Sequence, residues 1–206
     1  MMEIPMQSKL KFGRLPLAVT VALGAALLTA CITLPSGTSG AGALPCDDSI
    51  KTAFRPDAST TVIAVRAVKK GESIAVPDAG APVIIAADLC LVKLVVGPGN
   101  PGPADAPSTT TGIGIEVWLP TAANWNQRIR NYGGGGWVGG GHKDPTKVGS
   151  KFPAPVIAGM GYASGTTDTG QSAHQDGSFV LQPDGKVNTV SMADFSYRAI
   201  ARVMRD

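Results

Sequence analysis

The chain has 206 residues, which is enough for one domain with a sizeable core but short for two. Hydrophobic residues make up 44% of the chain, which argues against disorder, and the 26 glycines and 16 prolines indicate many loops. The net charge is only +3, without a basic patch that carries interleaved aromatic residues, so nucleic acid is not expected as a partner.

Residues 1–30 have the pattern of an export signal. Lys9, Lys11 and Arg14 precede an uncharged apolar run, Leu15 to Ala30, of 16 residues. A membrane span needs about 20 apolar residues, whereas this length is typical of the hydrophobic region of a signal peptide. The run therefore predicts a signal peptide, and an uncleaved N-terminal anchor is the alternative.

The end of that signal resembles the bacterial lipobox. Leu28, Thr29 and Ala30 precede Cys31, and small residues beside the cut suit the peptidase that exposes such a cysteine for lipidation. We therefore predict lipidation at Cys31, which would be the chain's only membrane contact. Ordinary cleavage further along, with loss of Cys31, is the alternative. The expected location is the bacterial cell envelope, by lipid anchor, or the medium after secretion.

The cysteine count fits an exported protein. There are three cysteines, Cys31, Cys46 and Cys90, and removal or lipidation of Cys31 leaves the other two as a pair. An oxidising compartment would favour a disulfide between them, with two separate buried thiols as the alternative. The chain has no C-x-x-C and only two histidines, His142 and His174, so no metal site is predicted.

The segment 31–45 is rich in Gly, Ser, Thr and Pro and predicts a flexible tether, which leaves residues 46–206 as the folded part. A short helix is expected to begin near Cys46–Ile50, with aspartates at its N-terminus. Apolar and β-branched runs predict strands at 60–65, 82–85, 90–96 and 113–119, with a Pro/Gly loop at 97–111. The alternation within 113–119 predicts a strand that is buried on one face only.

Residues 133–141 contain seven glycines. Because each glycine loses much conformational freedom on folding, we expect backbone conformations or close approaches that other residues do not allow. Such a loop could aim N–H groups at a developing oxyanion. A phosphate loop is disfavoured because G-x-x-x-x-G-K-[ST] is absent, and a plain flexible loop is the remaining alternative.

The last third of the chain predicts a short buried helix at 155–161, a strand at 162–168 and a final helix. Ser191 and Asp194 form an S-x-x-D capping box, and apolar residues follow at helical spacing up to Asp206 without a stop signal. This pattern predicts a chain cut within a helix. The nucleophile elbow G-x-S-x-G is not present, since Tyr162 stands where Ser164 would need a glycine.

Six short motifs occur in a distinctive order, and together they resemble the tannase and feruloyl esterase family. They are EVWLP at 116–120, NWNQR at 124–128, the glycine run with Trp137, GYA at 161–163, TDTG at 167–170 and DFSYRA at 194–199. Cys46 and Cys90 also stand where that family has an N-terminal cysteine pair. The resemblance implies an α/β-hydrolase fold, of which residues 46–206 would be the N-terminal portion, truncated before the nucleophile elbow and the lid domain.

The resemblance also implies a serine carboxylic ester hydrolase that acts on esters of aromatic acids without a cofactor. The serine of its G-C-S-x-G-G motif, the aspartate and the histidine would all fall beyond Asp206, so no catalytic residue is expected in this chain, which alone should be inactive. Gly135 and Gly136 are the candidates for the oxyanion hole, and Trp137 is the candidate for the substrate pocket. The alternatives are a non-catalytic exported lipoprotein that binds an aryl ligand, and a structural module of the envelope.

Several positions depart from the family's motifs. Gln127 interrupts the family's NGR, Gly134 replaces an asparagine, Gln171 replaces the histidine of TDTGH, and Ser196 replaces the glycine of DFGYRA. Asp168 is expected to brace the loop after its strand. His142 and His174 are expected to be ordinary loop residues, because a triad histidine follows the serine in α/β hydrolases.

Overall fold

The computed structural model describes residues 44–77, 79–97, 111–137, 139–150, 153–171 and 176–205. All of these belong to one compact unit, Ala41–Asp206. The predicted signal peptide, Cys31, residues 31–43 of the predicted tether, and His174 lie outside the described residues.

Six strands and four α-helices make up the described part of the chain. The strands are β1 (Thr60–Val68), β2 (Ser73–Ile74), β3 (Val83–Ile84), β4 (Leu89–Val96), β5 (Ile113–Pro120) and β6 (Ser164–Thr167). The α-helices are α1 (Ile50–Ala53), α2 (Pro153–Gly159), α3 (Thr189–Ala193) and α4 (Ala199–Arg205). A 3₁₀ turn covers Ser178–Val180, and a π-helical turn, Asp194–Arg198, joins α3 to α4.

Four strands form an antiparallel sheet in the order β1-β4-β5-β6. β4 is the centre: it pairs with β1 from Leu89↔Val68 to Val96↔Thr60, and with β5 over its whole length. The predicted strands at 60–65, 90–96 and 113–119 are confirmed, while the one at 82–85 shortens to the two residues of β3, which pairs with β2 in a separate small sheet.

The sheet continues past β6 in the parallel sense. Ile129 forms a parallel bridge with Ala163, and the Arg130 N–H donates to the Ala163 carbonyl at 2.8 Å. One step on, the Tyr132 N–H donates to the Gly165 carbonyl at 2.9 Å. The segment 128–132 therefore runs beside β6 in the same direction. The glycine-rich residues that follow it begin near the carboxyl end of β6.

The prediction that β5 is buried on one face only is wrong. Ile115 is 1% exposed, but Glu116 and Trp118 on the opposite face are also fully buried. One face packs in a cluster with α1 and α4, and the other packs against α2 and is covered by the loop 139–150. A strand covered on both faces needs no polar side, and Glu116 tolerates burial because it is paired.

The predicted cap of the final helix is also wrong. Asn188, not Ser191, is the N-cap, and its side-chain oxygen accepts a hydrogen bond from the Ser191 N–H at 3.1 Å. Ser191 and Asp194 consequently lie inside the helical segment. Asn at an N-cap satisfies a backbone donor that the helix leaves unpaired, and the S-x-x-D pattern did not distinguish a start from an interior turn.

The N-terminal end of the fold is covalently tied to the sheet. Cys46 and Cys90 form a disulfide with Cα atoms 5.7 Å apart, which confirms the predicted pair. The bond joins the segment before α1 to the start of β4. The predicted helix near Cys46 forms slightly later, as α1 beginning at Ile50 after the N-cap Ser49. The predicted helix at 155–161 begins two residues earlier, at Pro153.

Candidate functional site

The glycine-rich loop, residues 133–141, follows directly on the parallel segment beside β6. Gly133, Gly135 and Gly136 are exposed, and a Cβ atom added at any of the three would meet nothing within 4 Å. Gly136 has φ +57°, in the left-handed region that favours glycine. Both candidate oxyanion residues therefore lie on an exposed tip with room beside the backbone.

The other half of the loop is packed tightly. A Cβ at Gly139 would overlap the carbonyl oxygen of Gln171, and one at Gly140 would lie 2.7 Å from Nδ1 of His142. The expectation that the glycines serve unusual φ values or close approaches is thus confirmed, at Gly136 for φ and at Gly139 and Gly140 for approach. The loop combines an open tip with a base that leaves no room for side chains.

Trp137 belongs to an aromatic cluster that it forms with Phe179 and Phe195. Its ring centroid lies 6.0 Å from that of Phe179, edge to face, and 5.2 Å from that of Phe195. Phe179 and Phe195 are themselves 5.2 Å apart. Trp137 nevertheless stays 47% exposed. It thus packs the loop and still presents an aromatic surface beside Gly136.

Sequence reasoning did not single out the two phenylalanines of this cluster. Phe195 lies within the DFSYRA motif, and the π-helical turn Asp194–Arg198 contains it. Turns of this kind are rare and often occur at functional sites. Phe179 comes from the short 3₁₀ turn and is not part of any motif, so no local signal could have linked it to Trp137.

Asp168 braces the loop after β6, as expected. Its carboxylate accepts hydrogen bonds from the Gly114 and Gly170 N–H groups, both at 2.8 Å, and the Lys143 ammonium lies 3.1 Å away. Burial raises the pKa of Asp168, and the opposing effects of Lys143 and the two N–H groups are smaller. The residue thus fixes the end of β6 against the start of β5.

A second buried ion pair holds the loop 139–150 against the sheet. The Lys93 ammonium lies 2.6 Å from the Glu116 carboxylate, and the two side chains are 1% and 0% exposed. Glu116 also accepts hydrogen bonds from the N–H groups of Gly149 and Ser150, both at 2.7 Å, and from the Ser150 hydroxyl. Lys93 donates to the Lys147 carbonyl at 2.5 Å.

This ion pair continues into a chain of hydrogen-bonded side chains. The Ser150 hydroxyl oxygen accepts from the Trp118 indole at 3.0 Å and from the Thr166 hydroxyl at 2.9 Å. Thr166 in turn lies 2.9 Å from Nε2 of His142. Sequence reasoning assigned no role to Lys93, because the pairing of β4 with β5 that places it opposite Glu116 is a tertiary fact.

The remaining sequence candidates are placed as follows. His142 is 1% exposed inside the loop 139–150, where its Nε2 lies 2.9 Å from the Thr166 hydroxyl. Ser164 is fully buried at the start of β6, unlike an exposed elbow serine. Among the described residues there is no group of three His, Cys, Asp or Glu placed to hold a metal ion. No helix in that same part of the chain is long and apolar enough to cross a membrane.

A family model for tannase and feruloyl esterase matches residues 95–206, which is more than half of the chain. The chain belongs to the tannase and feruloyl esterase family. The matched region starts at the end of β4 and contains the glycine-rich loop and the aromatic cluster, so these two features are parts of a family domain.

Solved structures of esterases share the fold. Feruloyl esterase B from Aspergillus oryzae is 26% identical with a TM-score of 0.54, and covers 77% of this chain. An esterase from Aspergillus oryzae is 19% identical with a TM-score of 0.53 over 76% of the chain. Tannin acyl hydrolase from Aspergillus niger is 22% identical with a TM-score of 0.52 over 77% of the chain.

The match covers only 26–27% of each of these three proteins, so this chain spans about a quarter of their length. The predicted α/β-hydrolase fold class is confirmed by these neighbours. No curated protein sequence matches the chain significantly.

Proposed function

We propose that this chain supplies the oxyanion loop and part of the acyl pocket of a serine carboxylic ester hydrolase that acts on esters of aromatic acids. The observation that carries the proposal is the exposed tip of the glycine-rich loop, which holds Gly135 and Gly136 beside the half-exposed ring of Trp137. Membership of the tannase and feruloyl esterase family supports the same chemistry.

The tip offers backbone N–H groups where negative charge would develop. In the proposed reaction a serine attacks the ester carbonyl, and the N–H groups of Gly135 and Gly136 donate to the oxygen that becomes an oxyanion. Such donors help only if they are held in place before the reaction, and the tightly packed base of the loop at Gly139 and Gly140 provides that support. One donor of this kind is worth roughly 3–4 kcal/mol of transition-state stabilisation.

The nucleophile and its partners belong to sequence that would follow Asp206. A histidine oriented by an aspartate takes the serine proton and passes it to the leaving alcohol, and water then hydrolyses the acyl-enzyme. This chemistry uses no cofactor. The chain on its own is therefore expected to be inactive.

Trp137 is proposed to receive the aromatic acid. Its indole is anchored by Phe179 and Phe195, and its exposed surface lies next to the loop tip in sequence and space. An offset or edge-to-face contact with an aryl ring contributes about 0.5–1.5 kcal/mol beyond burial. Two of the similar structures bear the names feruloyl esterase and tannin acyl hydrolase, which supports an aromatic acyl group.

We also propose that the protein is exported. The Cys46–Cys90 disulfide supports an oxidising compartment. In this organisation residues 1–30 are the signal peptide, residues 31–45 tether the protein to a lipid at Cys31, and residues 46–206 are the N-terminal portion of the catalytic domain.

The first test is to read the coding sequence past Asp206. The proposal expects the frame to continue through G-C-S-x-G-G and, after a long insertion, an aspartate and a histidine. A stop codon directly after Asp206 would remove the enzyme proposal and leave an aryl-binding lipoprotein to be tested by titrating aromatic acids against tryptophan fluorescence.

The second test is an assay of the complete reading frame. Methyl esters of hydroxylated aromatic acids should be hydrolysed faster than methyl butyrate. Gly135→Pro, which removes one N–H donor, should lower kcat by about 10²–10³-fold, whereas Gly133→Ala should leave it nearly unchanged. Turnover by the purified 31–206 chain itself would contradict the placement of the nucleophile beyond Asp206.

A further inference from the structure

We infer that Gln171 is a positioning residue that holds the glycine-rich loop in the geometry that an oxyanion hole needs, an inference that rests on the proposed function. Its side-chain amide nitrogen donates a hydrogen bond to the Trp137 carbonyl. Its own carbonyl accepts one from the Gly140 N–H at 3.2 Å. One residue thus binds the loop at two points, three positions apart.

The space around Gln171 shows that the loop is fitted to it. Gly139 lies between the two bonded positions, and any side chain there would overlap the carbonyl and the side chain of Gln171. The backbone of the loop must therefore approach Gln171 more closely than a residue with a Cβ allows. Contact this close fixes the distance between Gln171 and the loop as well as the bonding pattern.

Gln171 is itself rigidly supported. It is 5% exposed, and its N–H donates to the Asp168 carbonyl at 3.1 Å in the turn after β6. The Asp168 carboxylate is bound in turn to the Gly114 N–H of β5 and lies beside Lys143. The loop is thereby connected to the sheet through a short series of buried contacts.

The position of these contacts determines their effect. They hold Trp137 and Gly140, immediately after the exposed tip that contains Gly135 and Gly136. A tip that moves freely would lose the prior orientation of its donors, which is the property that makes an oxyanion hole effective. Gln171 therefore acts on the proposed reaction through the loop and touches no reacting atom.

The test measures amide hydrogen exchange in the full 206-residue chain and in two variants. Gln171→Leu removes the donor, and Gln171→Glu keeps the shape but replaces the amide donor by a carboxylate at neutral pH. At pH 7 both variants should speed exchange of the Gly140 N–H, which donates to the Gln171 carbonyl, by about tenfold, the effect of losing one buried hydrogen bond nearby. Amides in β1, at the edge of the sheet opposite β6, should keep their wild-type rates.

The pH dependence of the Gln171→Glu variant distinguishes the effect of the hydrogen-bond donor from the effect of side-chain volume. A glutamic acid regains an O–H donor when it is protonated, so as the pH falls and this carboxyl is protonated the loop should return to within about twofold of the wild-type rate at the same pH. The Leu variant should show no such recovery. If Leu fails to fold, Gln171→Met replaces it, and the pH comparison with Glu stands on its own.

Three results would overturn the inference: unchanged loop exchange in the Leu variant, equal acceleration in β1 and in the loop, or no recovery of the Glu variant at low pH. Exchange needs neither an ester nor a nucleophile, so its outcome is independent of the esterase assay. A protected loop in a complete reading frame that hydrolyses no ester would refute the proposed function and leave the contact of Gln171 with the loop standing.

Discussion

Replacing Lys93 by Met should destabilise the fold severely, because it leaves the Glu116 carboxylate buried without its counter-ion. The two side chains are 1% and 0% exposed, so the Glu116 carboxylate lies away from bulk solvent. Removing one partner of a buried ion pair costs about 3–5 kcal/mol. An ordinary domain has only about 5–15 kcal/mol of stability in total, so the Lys93→Met variant should lose between about a fifth and all of its stability.

The assay is urea unfolding followed by tryptophan fluorescence, with the free energy of unfolding extrapolated linearly to water. Trp118 is fully buried and its indole donates to Ser150, so its emission reports on the face of the sheet that holds the ion pair. The matched control is Lys69→Met. Lys69 lies 3.3 Å from Asp88 on the surface, and an exposed pair of this kind contributes about 0–1 kcal/mol.

A double variant checks the physical reason. Lys93→Met combined with Glu116→Gln buries no net charge and keeps an oxygen acceptor for one of the two N–H groups, since Gly149 and Ser150 donate to different carboxylate oxygens. It should recover at least half of the loss caused by Lys93→Met. A cost for Lys93→Met no larger than that of Lys69→Met would refute the reasoning, and so would a double variant no more stable than the single one.

Three further measurements follow from the contacts. Replacing Cys46 and Cys90 by Ser should lower the free energy of unfolding by about 4 kcal/mol, because the disulfide closes a loop with a sequence separation of 44. Wild type should gain stability relative to Asp168→Asn as the pH falls, because a carboxyl whose folded pKa is raised contributes most when protonated. Gly139→Ala should cost about 1–3 kcal/mol, since its Cβ meets the Gln171 carbonyl, whereas Gly133→Ala should stay within about 1 kcal/mol.

Asp144 gives the pH measurement a control of opposite sign. Hydrogen bonds from the Thr146 hydroxyl and N–H lower the pKa of Asp144, so its contribution is present above the ordinary aspartate pKa and is lost as the pH falls. Asp168 contributes below that pKa and loses its contribution as the pH rises through the raised value. Parallel pH profiles for Asp168→Asn and Asp144→Asn would contradict the assigned directions. For the replacement of Cys46 and Cys90 by Ser and for Gly139→Ala, thermal or urea midpoints equal to those of the wild type would contradict the expected losses of stability.

The local sequence determined the strands and the family. Apolar and β-branched runs found β1, β4 and β5 to within a few residues, because side-chain packing on a pleated surface selects those residues directly. The order of the motifs along the chain was enough to indicate the tannase and feruloyl esterase family, and the odd cysteine count indicated the pair that forms the disulfide. The glycine run also predicted unusual backbone conformations or close approaches, which are found at Gly136 and Gly139 respectively.

Only the tertiary structure decided which contacts these strands, loops and helices make with one another. The burial of Glu116 depends on Lys93 from a neighbouring strand and on a loop more than thirty residues away in sequence, so the alternation of β5 alone predicted an exposed face that does not exist. The cap at Asn188 was decided by which residue could turn its side chain toward a free N–H group.

The supports of the candidate site were likewise beyond the reach of sequence. Trp137, Phe179 and Phe195 come from three separate elements, and Gln171 reaches the loop across a separation of 34 residues. Periodicity and motifs describe neighbours along the chain, whereas contacts of this kind depend on how strands are ordered in the sheet. Thus the sequence by itself determined which loop to look at, and the fold decided what holds that loop in place.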